Sequence, residues 1–197
     1  MVMTLDFDQL TSKDPRIKYG FTKELLNIAA NNPELLYDHF EHFQKMLRSE
    51  NNIIKWTAID IIGYLSAVDV DNKIDNKIND LIRFFHGGKL ITCNHAIFAL
   101  GLIAKSKKKH RRKILRELIE VSNDTFETEE CKNIATGKVL DVFKSFPDEV
   151  RNNEAAVEFI VKATNNLRNS TKKKATQILL KLEKISKKEK SLLFNVK

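Results

Sequence analysis

The sequence predicts an all-α protein built from a repeated pair of helices. Apolar residues recur at the spacing of one helix face along most of the chain, as at Leu36, Phe40 and Phe43. The chain has only six Gly and three Pro among its 197 residues, whereas a β-rich fold needs many more turns. Its 42% hydrophobic content excludes a wholly disordered chain and suits one domain, or one short repeat array, with a sizeable core.

Start and stop signals place the first four helices. Asp14 precedes Pro15 and Asn32 precedes Pro33, and a capping residue before a Pro at the first helical position is a typical helix start. Asn52 is predicted to cap the third helix. The His86-Gly87-Gly88 sequence ends the fourth, since Gly readily takes the left-handed conformation that closes a helix. The first four predicted helices are 16–30, 33–48, 52–67 and 72–86.

Equivalent positions in alternate helices place the others. Each odd-numbered predicted helix holds a marker residue that is followed by large apolar residues four and seven positions later. Thr128 is the predicted cap of the seventh helix. The remaining predicted helices are 89–105, 109–122, 129–146, 149–165 and 170–187. The five markers are Phe21, Ala58, Ala96, Ala135 and Ala175, separated by 37, 38, 39 and 40 residues.

A repeat of two helices and about 40 residues is typical of α-solenoids. The alternative is an ordinary helical bundle, but the regular increments favour a solenoid of about four and a half helix pairs. One domain is predicted over residues 1–187, followed by a flexible basic tail at 188–197. Helix 16–30 precedes four predicted units, which span 33–70, 71–107, 108–147 and 148–187.

Two segments resemble a known helical repeat. Residues 52–65 (NIIKWTAIDIIGYL) contain in order an aliphatic–basic pair, a small residue and an Ile-Gly pair, which is similar to the second helix of a HEAT repeat. Residues 90–101 repeat the end of this pattern, with Cys93 where the family has a basic residue. The resemblance covers residues 33–187 and implies a right-handed superhelix whose second helices line a concave face. It says little about function, because one fold serves many functions.

The concave face implied by this resemblance carries a mixed set of side chains. At about 100° per residue, Trp56, Asp60 and Gly63 lie opposite the apolar stripe of their helix. Equivalent residues on neighbouring helices add further aromatic, amide and charged groups. Such a mixture favours a protein partner over nucleic acid, which requires a basic surface. The candidate concave-face residues are Tyr19, Lys23, Trp56, Asp60, Asn94, Phe98, Asn133, Lys173 and Gln177.

The formal net charge of +8 comes from two segments. Residues 105–116 hold eight Lys and Arg and no acid, and residues 161–197 hold 11 basic and two acidic residues. Basic residues at a helix start oppose the helix dipole, so local helix stability does not explain the first segment. It is either a solubilising surface or a site for an acidic partner. The candidate basic-edge residues are Lys105, Lys107, Lys108, Lys109, Arg111, Arg112 and Lys113.

Catalytic and metal-binding motifs are absent from the sequence. It contains no phosphate-binding loop, nucleophile elbow or paired-carboxylate pattern. His39 and His42 share a helix face, but no further ligands complete a metal site. We therefore expect a non-enzymatic protein with no metal, cofactor or small-molecule substrate.

One weak resemblance points to an enzyme class. Trp56 and Asp60 are similar to the aromatic residue and the Asp of the HEAT-like DNA alkylation-repair glycosylases. In that family the aromatic residue stacks near the damaged base, and the Asp supports the positively charged intermediate. This chain has no second Trp, and neither Asn94 nor Phe98 supplies an Arg, so the pattern is incomplete.

The leading functional prediction is a scaffold that binds a macromolecule through its concave face and its basic edge. A protein partner or self-association is the first choice, and nucleic acid is the alternative. Two Cys cannot make a disulfide framework, which favours a reducing compartment. The longest apolar stretch, residues 96–104, falls short of the roughly 20 residues that span a bilayer, and no leader pattern precedes it. We therefore expect a cytoplasmic protein without a membrane partner.

Overall fold

The computed structural model describes the backbone of residues 5–194 and the side chains of residues 5–185. All regular secondary structure in this part of the chain is helical, and each of its helices is too short or too polar to cross a membrane. Short 3-10 helices occupy Phe7–Thr11, Lys73–Lys77 and Glu120–Ser122. The α-helices are α1 (Pro15–Asn31), α2 (Glu34–Tyr37), α3 (Phe40–Met46), α4 (Asn52–Leu65), α5 (Ile78–Phe85), α6 (Leu90–Ser106), α7 (Lys108–Ile119), α8 (Glu129–Phe143), α9 (Pro147–Arg151), α10 (Glu154–Ala163) and α11 (Asn169–Phe194).

Side-chain caps start several of these helices. Asp14 caps α1 by accepting a hydrogen bond from the Arg16 amide at 2.8 Å. Thr128 caps α8 as predicted, accepting from the Cys131 amide at 3.1 Å. The cap of α4 is Asn51 rather than Asn52, because Asn51 has the extended backbone that lets its carboxamide accept from the first free amides of the helix.

Two predicted helices are interrupted. The predicted helix 33–48 is divided into α2 and α3 by a turn at residues 38–39. The predicted helix 149–165 is divided into α9 and α10, because Asn153 is extended and caps α10 through the Ala156 amide at 3.3 Å. Both interruptions place short polar residues where an unbroken helix was predicted, and such residues compete with helical hydrogen bonds.

The chain also differs from the predictions at one helix start and at its C-terminal end. The fourth predicted helix begins as a 3-10 helix, because the Asp69 carboxylate accepts from the Lys73 and Ile74 amides at 2.9 and 3.1 Å. Helix α11 continues to Phe194, past the predicted end at residue 187. Residues 195–197, the rest of the predicted basic tail, lie outside the described residues.

Five helices pack on one another in chain order. Helix α1 contacts α4, α4 contacts α6, α6 contacts α8, and α8 contacts α11. We call these five the stacked helices. The remaining long helices lie against them: α3 contacts α4, α5 and α7 contact α6, and α10 contacts α11. All five marker residues of the sequence repeat are buried in the resulting core.

Glycine permits the closest approach between stacked helices. A Cβ atom on Gly63 would lie 2.7 Å from the Ala99 Cα of α6, and one on Gly101 would lie 2.9 Å from Val142 Cγ2 of α8. Gly63 is therefore buried between α4 and α6. The prediction that it lies on the open side of its helix is wrong, because the neighbouring helix covers that side.

Hydrogen bonds between stacked helices join residues about one repeat apart. Trp56 Nε1 donates to Thr92 Oγ1 at 2.9 Å, and Thr171 Oγ1 donates to the Asn133 carbonyl at 2.9 Å. These partners are 36 and 38 residues apart in the sequence. Equivalent positions on successive stacked helices are therefore neighbours in space.

Candidate binding groove

A groove of about 710 Å³ crosses the stacked helices α4, α6 and α8, and we call it the central groove. Its volume falls within the range of about 300–1,000 Å³ that is common for ligand-binding clefts. Leu26 of α1 closes one side, and Phe146, just after α8, closes the other. The lining residues that matter most for its chemistry are Asp60, Tyr64, His95, Phe98, Lys105 and Lys138.

The floor of the central groove exposes large apolar side chains. Phe98 is 41% exposed and Ile91 is 52% exposed. The Phe98 ring packs edge-on against Tyr64, with centroids 5.5 Å apart and planes at 72°. An apolar group of a ligand is able to pack on this pair, because covering an exposed aromatic surface lowers the free energy.

An ordered Asp–His–Trp cluster forms part of the groove wall. His95 Nδ1 lies 2.9 Å from both carboxylate oxygens of Asp60, which accept a hydrogen bond from it. The His95 ring stacks on Trp56, with centroids 5.5 Å apart and planes at 9°. The Trp56 indole is itself fixed by its hydrogen bond to Thr92. His95 is thus held by contacts on its edge and on its face.

Burial is the main cause of the pKa shifts of Asp60 and Tyr64. It raises the pKa of Asp60, and the hydrogen bond from His95 offsets only part of that rise. Burial also raises the pKa of Tyr64, with a smaller contribution from the negative charge of Asp60. The Asp60 side chain is only 14% exposed, so its charge is directed at His95 rather than at solvent.

One groove residue has an unused hydrogen-bond acceptor. Asn94 Oδ1 is buried and has no hydrogen-bond partner within the described residues. Buried polar atoms are usually paired in folded proteins, and an unpaired one weakens stability.

The structure brings some of the predicted concave-face residues together. Asp60, Asn94 and Phe98 line the central groove. Trp56 lies beside it, half-buried and packed against the core. The groove also includes Tyr64 and His95, which the sequence reasoning did not select. Tyr64 follows Asp60 by one helical turn, so extending the predicted row along the helix would have found it.

The other predicted concave-face residues lie elsewhere or have partners inside the protein. Tyr19 accepts a hydrogen bond from Asn51 at 3.2 Å, and Asn133 accepts one from Asn166 at 2.8 Å. Lys23, Lys173 and Gln177 are exposed on α1 and α11, and none of them lines the central groove.

Three residues of the predicted basic edge, Lys107, Lys109 and Arg111, are paired with acidic residues. Lys107 is only 8% exposed at its side chain, and its Nζ lies 2.7 Å from Asp69 Oδ2 and 3.2 Å from Asp75 Oδ1. Lys109 pairs with the same Asp75 at 2.5 Å. Arg111 pairs with Glu149 at 2.5 Å. These cations therefore hold the helices together instead of forming an open anion site.

We call the group of Tyr37, Asp69, Asp75, Lys107 and Lys109 the charge cluster. Burial and the contacts within this cluster shift the pKa values of its members. Burial alone would raise the pKa of Asp75, but hydrogen bonds from Lys109, His110 and Lys107 lower it to about 2. Burial raises the pKa of Tyr37 to about 12, with help from its hydrogen bond to Asp69. For Lys107, the two carboxylates outweigh burial and raise the pKa of its ammonium group.

Besides Arg111, four predicted basic-edge residues lie outside this cluster. Lys113 Nζ donates to Asn79 Oδ1 at 2.8 Å. Lys105, Lys108 and Arg112 are exposed, and Lys105 also lines the central groove. The basic edge and the concave face, which were predicted separately, thus meet at Lys105.

The paired histidines of the N-terminal region take part in aromatic packing. The Phe7 ring stacks on His42 with centroids 4.2 Å apart, and the rings of His39 and His42 are 6.2 Å apart. Within the described residues, no group of three or more His, Cys, Asp or Glu is placed to hold a metal ion.

No protein-family model matches this chain, and no curated protein matches it. Among solved structures, the chain is similar to the crystal structure of an engineered protein from the Northeast Structural Genomics Consortium. The two share a TM-score of 0.56 and 16% sequence identity, over 89% of this chain and 76% of the other. At this identity, the similarity concerns the fold alone.

Proposed function

We propose that this chain is a non-enzymatic HEAT-like solenoid that binds a protein partner in the central groove. Two observations support the solenoid arrangement: the stacked helices pack in chain order, and the hydrogen bonds that join them link residues about one repeat apart. In such an array the stacked helices form the concave face, so the central groove lies on the surface that solenoids use for binding.

The observation that carries the proposal is the open apolar floor of the groove. Phe98 and Ile91 are about half exposed within a concavity that polar residues such as Asp60 and Lys105 also line. Exposed aromatic anchors surrounded by polar groups are typical of protein-binding sites.

Affinity purification with matched charge substitutions tests this function. Phe98→Glu places a charge in the groove, whereas Val161→Glu places one at an equally open site (47% exposed) on α10. We expect the wild type and Val161→Glu to retain a partner that Phe98→Glu loses. The purified partner should bind Phe98→Glu at least about tenfold more weakly than it binds the wild type. Full retention by Phe98→Glu would contradict a role for the groove. Light scattering of the same three proteins identifies self-association.

Nucleic acid is the alternative partner, supported by the exposed side chains of Lys105, Lys108 and Arg112. Its support is weaker than the sequence suggested, because Lys107, Lys109 and Arg111 are already paired with acids. Titration with duplex and single-stranded DNA at several salt concentrations tests it. Binding whose salt dependence decreases in the triple variant Lys105/Lys108/Arg112→Ala would favour nucleic acid. A flat titration removes this alternative.

A DNA alkylation-repair glycosylase is the second candidate, favoured by the position of Asp60 in the groove beside Tyr64 and Phe98. The candidate is weakened because His95 occupies a face of Trp56, where a base would have to stack. Release of methylated bases from alkylated DNA tests it. Release by the wild type and its loss in Asp60→Asn would support the enzyme, and no release by the wild type ends this candidate.

A further inference from the structure

Building on the proposed function, we infer that the central groove selects acidic peptide segments in which an apolar side chain lies near one or more carboxylates. The apolar side chain contacts Tyr64 and Phe98, and the carboxylates face Lys105 and Lys138. The inference rests on the distribution of paired and unpaired charges around the groove.

The acidic groups of the groove already have cationic or hydrogen-bonded partners. Asp60 accepts from His95 at 2.9 Å. Asp141 pairs with Lys144 at 3.0 Å and with Lys174 of the neighbouring stacked helix. Neither carboxylate is therefore free to bind a cation on a ligand.

Two lysines of the groove lack such partners. Lys105 lies in the last turn of α6 and Lys138 lies on α8, and both are exposed and line the groove. In the part of the chain that the structure describes, neither ammonium group has a carboxylate within 4.0 Å. The groove therefore presents an excess of positive charge next to its apolar floor, and an acidic ligand complements it.

The dimensions suit a short peptide segment. Packed helices lie about 8–10 Å apart, so the path from α4 across α6 to α8 measures roughly 20 Å. An extended chain covers that distance in about six residues. The apolar contact at Tyr64 and Phe98 involves α4 and α6, whereas Lys105 and Lys138 belong to α6 and α8. Both features are thus within reach of one segment.

The surface favours a peptide over a nucleic acid. A phosphate backbone carries one charge per nucleotide and needs a continuous basic track, whereas the central groove has two unpaired lysines and two carboxylates. Its floor also exposes Phe98 and Ile91, which contact apolar side chains well. Lys105 and Lys138 then act as specificity residues that reject basic segments by repulsion.

Peptide selection on purified protein tests the inference. A random 12-residue displayed library is selected against the wild type, against K105E/K138E and against the charge-matched control K13E/K45E, whose lysines are exposed outside the groove. We expect the wild type and the control to enrich acidic segments containing Leu, Ile or Phe. A synthetic version of the best peptide should bind K105E/K138E about tenfold more weakly and should bind the wild type less tightly as salt increases.

The outcomes separate this inference from the proposed function. One contrary result is a set of selected peptides that fail to bind Phe98→Glu and yet show no acidic bias. Another is a set that binds K105E/K138E as tightly as the wild type. Either result would overturn the charge selection and leave binding in the groove intact. A library without any Phe98-dependent binder would count against the proposed function, and the inference would fall with it. Single-stranded DNA that binds the groove more tightly than every selected peptide would also overturn the inference.

Discussion

At the scale of single residues, Lys105 and Lys107 have opposite environments although they are two positions apart. Lys107 is buried against Asp69 and Asp75, whereas Lys105 is exposed on the rim of the central groove. The sequence places both in one basic run. Only the packing of neighbouring helices separates a structural lysine from one that is free to contact a partner.

Lys107→Met tests the structural role of the charge cluster. The substitution leaves Asp69 and part of Asp75 buried without their main cation, so we expect the free energy of unfolding to fall by about 3 kcal/mol. Lys105→Met is the control and should change it by less than about 0.5 kcal/mol. Urea denaturation measures both variants. Equal effects for the two substitutions would mean that the cluster contributes little.

The charge cluster also predicts how stability depends on pH. The pKa of Asp75 is about 2 in the folded protein, below the value near 3.9 of an unfolded chain. A depressed folded pKa stabilises the fold above the unfolded value, and this contribution is lost as pH falls from about 4 to about 2. Urea denaturation between pH 2 and 6 should show a steeper loss in the wild type than in Asp75→Asn. Parallel curves would contradict this assignment.

At the scale of helices, close packing between stacked neighbours depends on small residues at equivalent positions. Gly63 of α4 faces Ala99 of α6, and Gly101 of α6 faces Val142 of α8. The sequence marks both glycines as part of the repeat pattern. Glycine is needed at both positions because a Cβ atom there would collide with the neighbouring helix.

Gly63→Ala tests this contact. The added methyl group would lie 2.7 Å from the Ala99 Cα, which is a backbone atom and cannot rotate away. We expect a loss of about 1–3 kcal/mol in the free energy of unfolding, because α4 and α6 must separate. Gly20→Ala is the matched control on α1, where nothing lies within 4 Å of the new Cβ.

The control should behave in the opposite way. Gly20 is within α1, and replacing an exposed helical Gly by Ala stabilises by about 0.5–1 kcal/mol. Thermal and urea denaturation of the two variants therefore give shifts of opposite sign. A neutral Gly63→Ala variant would show that the two helices adjust easily at this contact.

At the scale of the whole molecule, ion pairs join successive stacked units. Arg111 pairs with Glu149, and Arg168 pairs with Glu130, each across 38 residues of sequence. Such pairs leave the net charge at +8, but their cations are less free to bind a partner. Lys105 and Lys138, which line the central groove, are among the exposed cations without an acidic partner in the described residues.

Packing in chain order predicts a gradient of local stability. Helix α6 contacts stacked helices on both sides and also packs against α5 and α7, whereas α1 contacts only α4 among the stacked helices. In an array of units that contact their neighbours, the ends open more easily than the centre. Native-state hydrogen exchange should therefore show the slowest amide exchange in α6 and faster exchange in α1. Uniform protection across both helices would indicate a single cooperative unit.

The helical class and most helix positions follow from the sequence alone, because periodicity, caps and Gly stops depend on residues within one or two turns of each other. The breaks within predicted helices 33–48 and 149–165 did not. The equivalence of the five marker residues, all buried, follows from the same local pattern. Asp60, Asn94 and Phe98 were selected by it and do lie together in the groove. By contrast, the partners of Asp60 and Lys107 lie 35 and 38 residues away, so tertiary packing decided which charges are paired and which face solvent. The sequence alone determined the all-helical class and most of the helix starts, and only the tertiary structure decided which lysines a partner is able to reach.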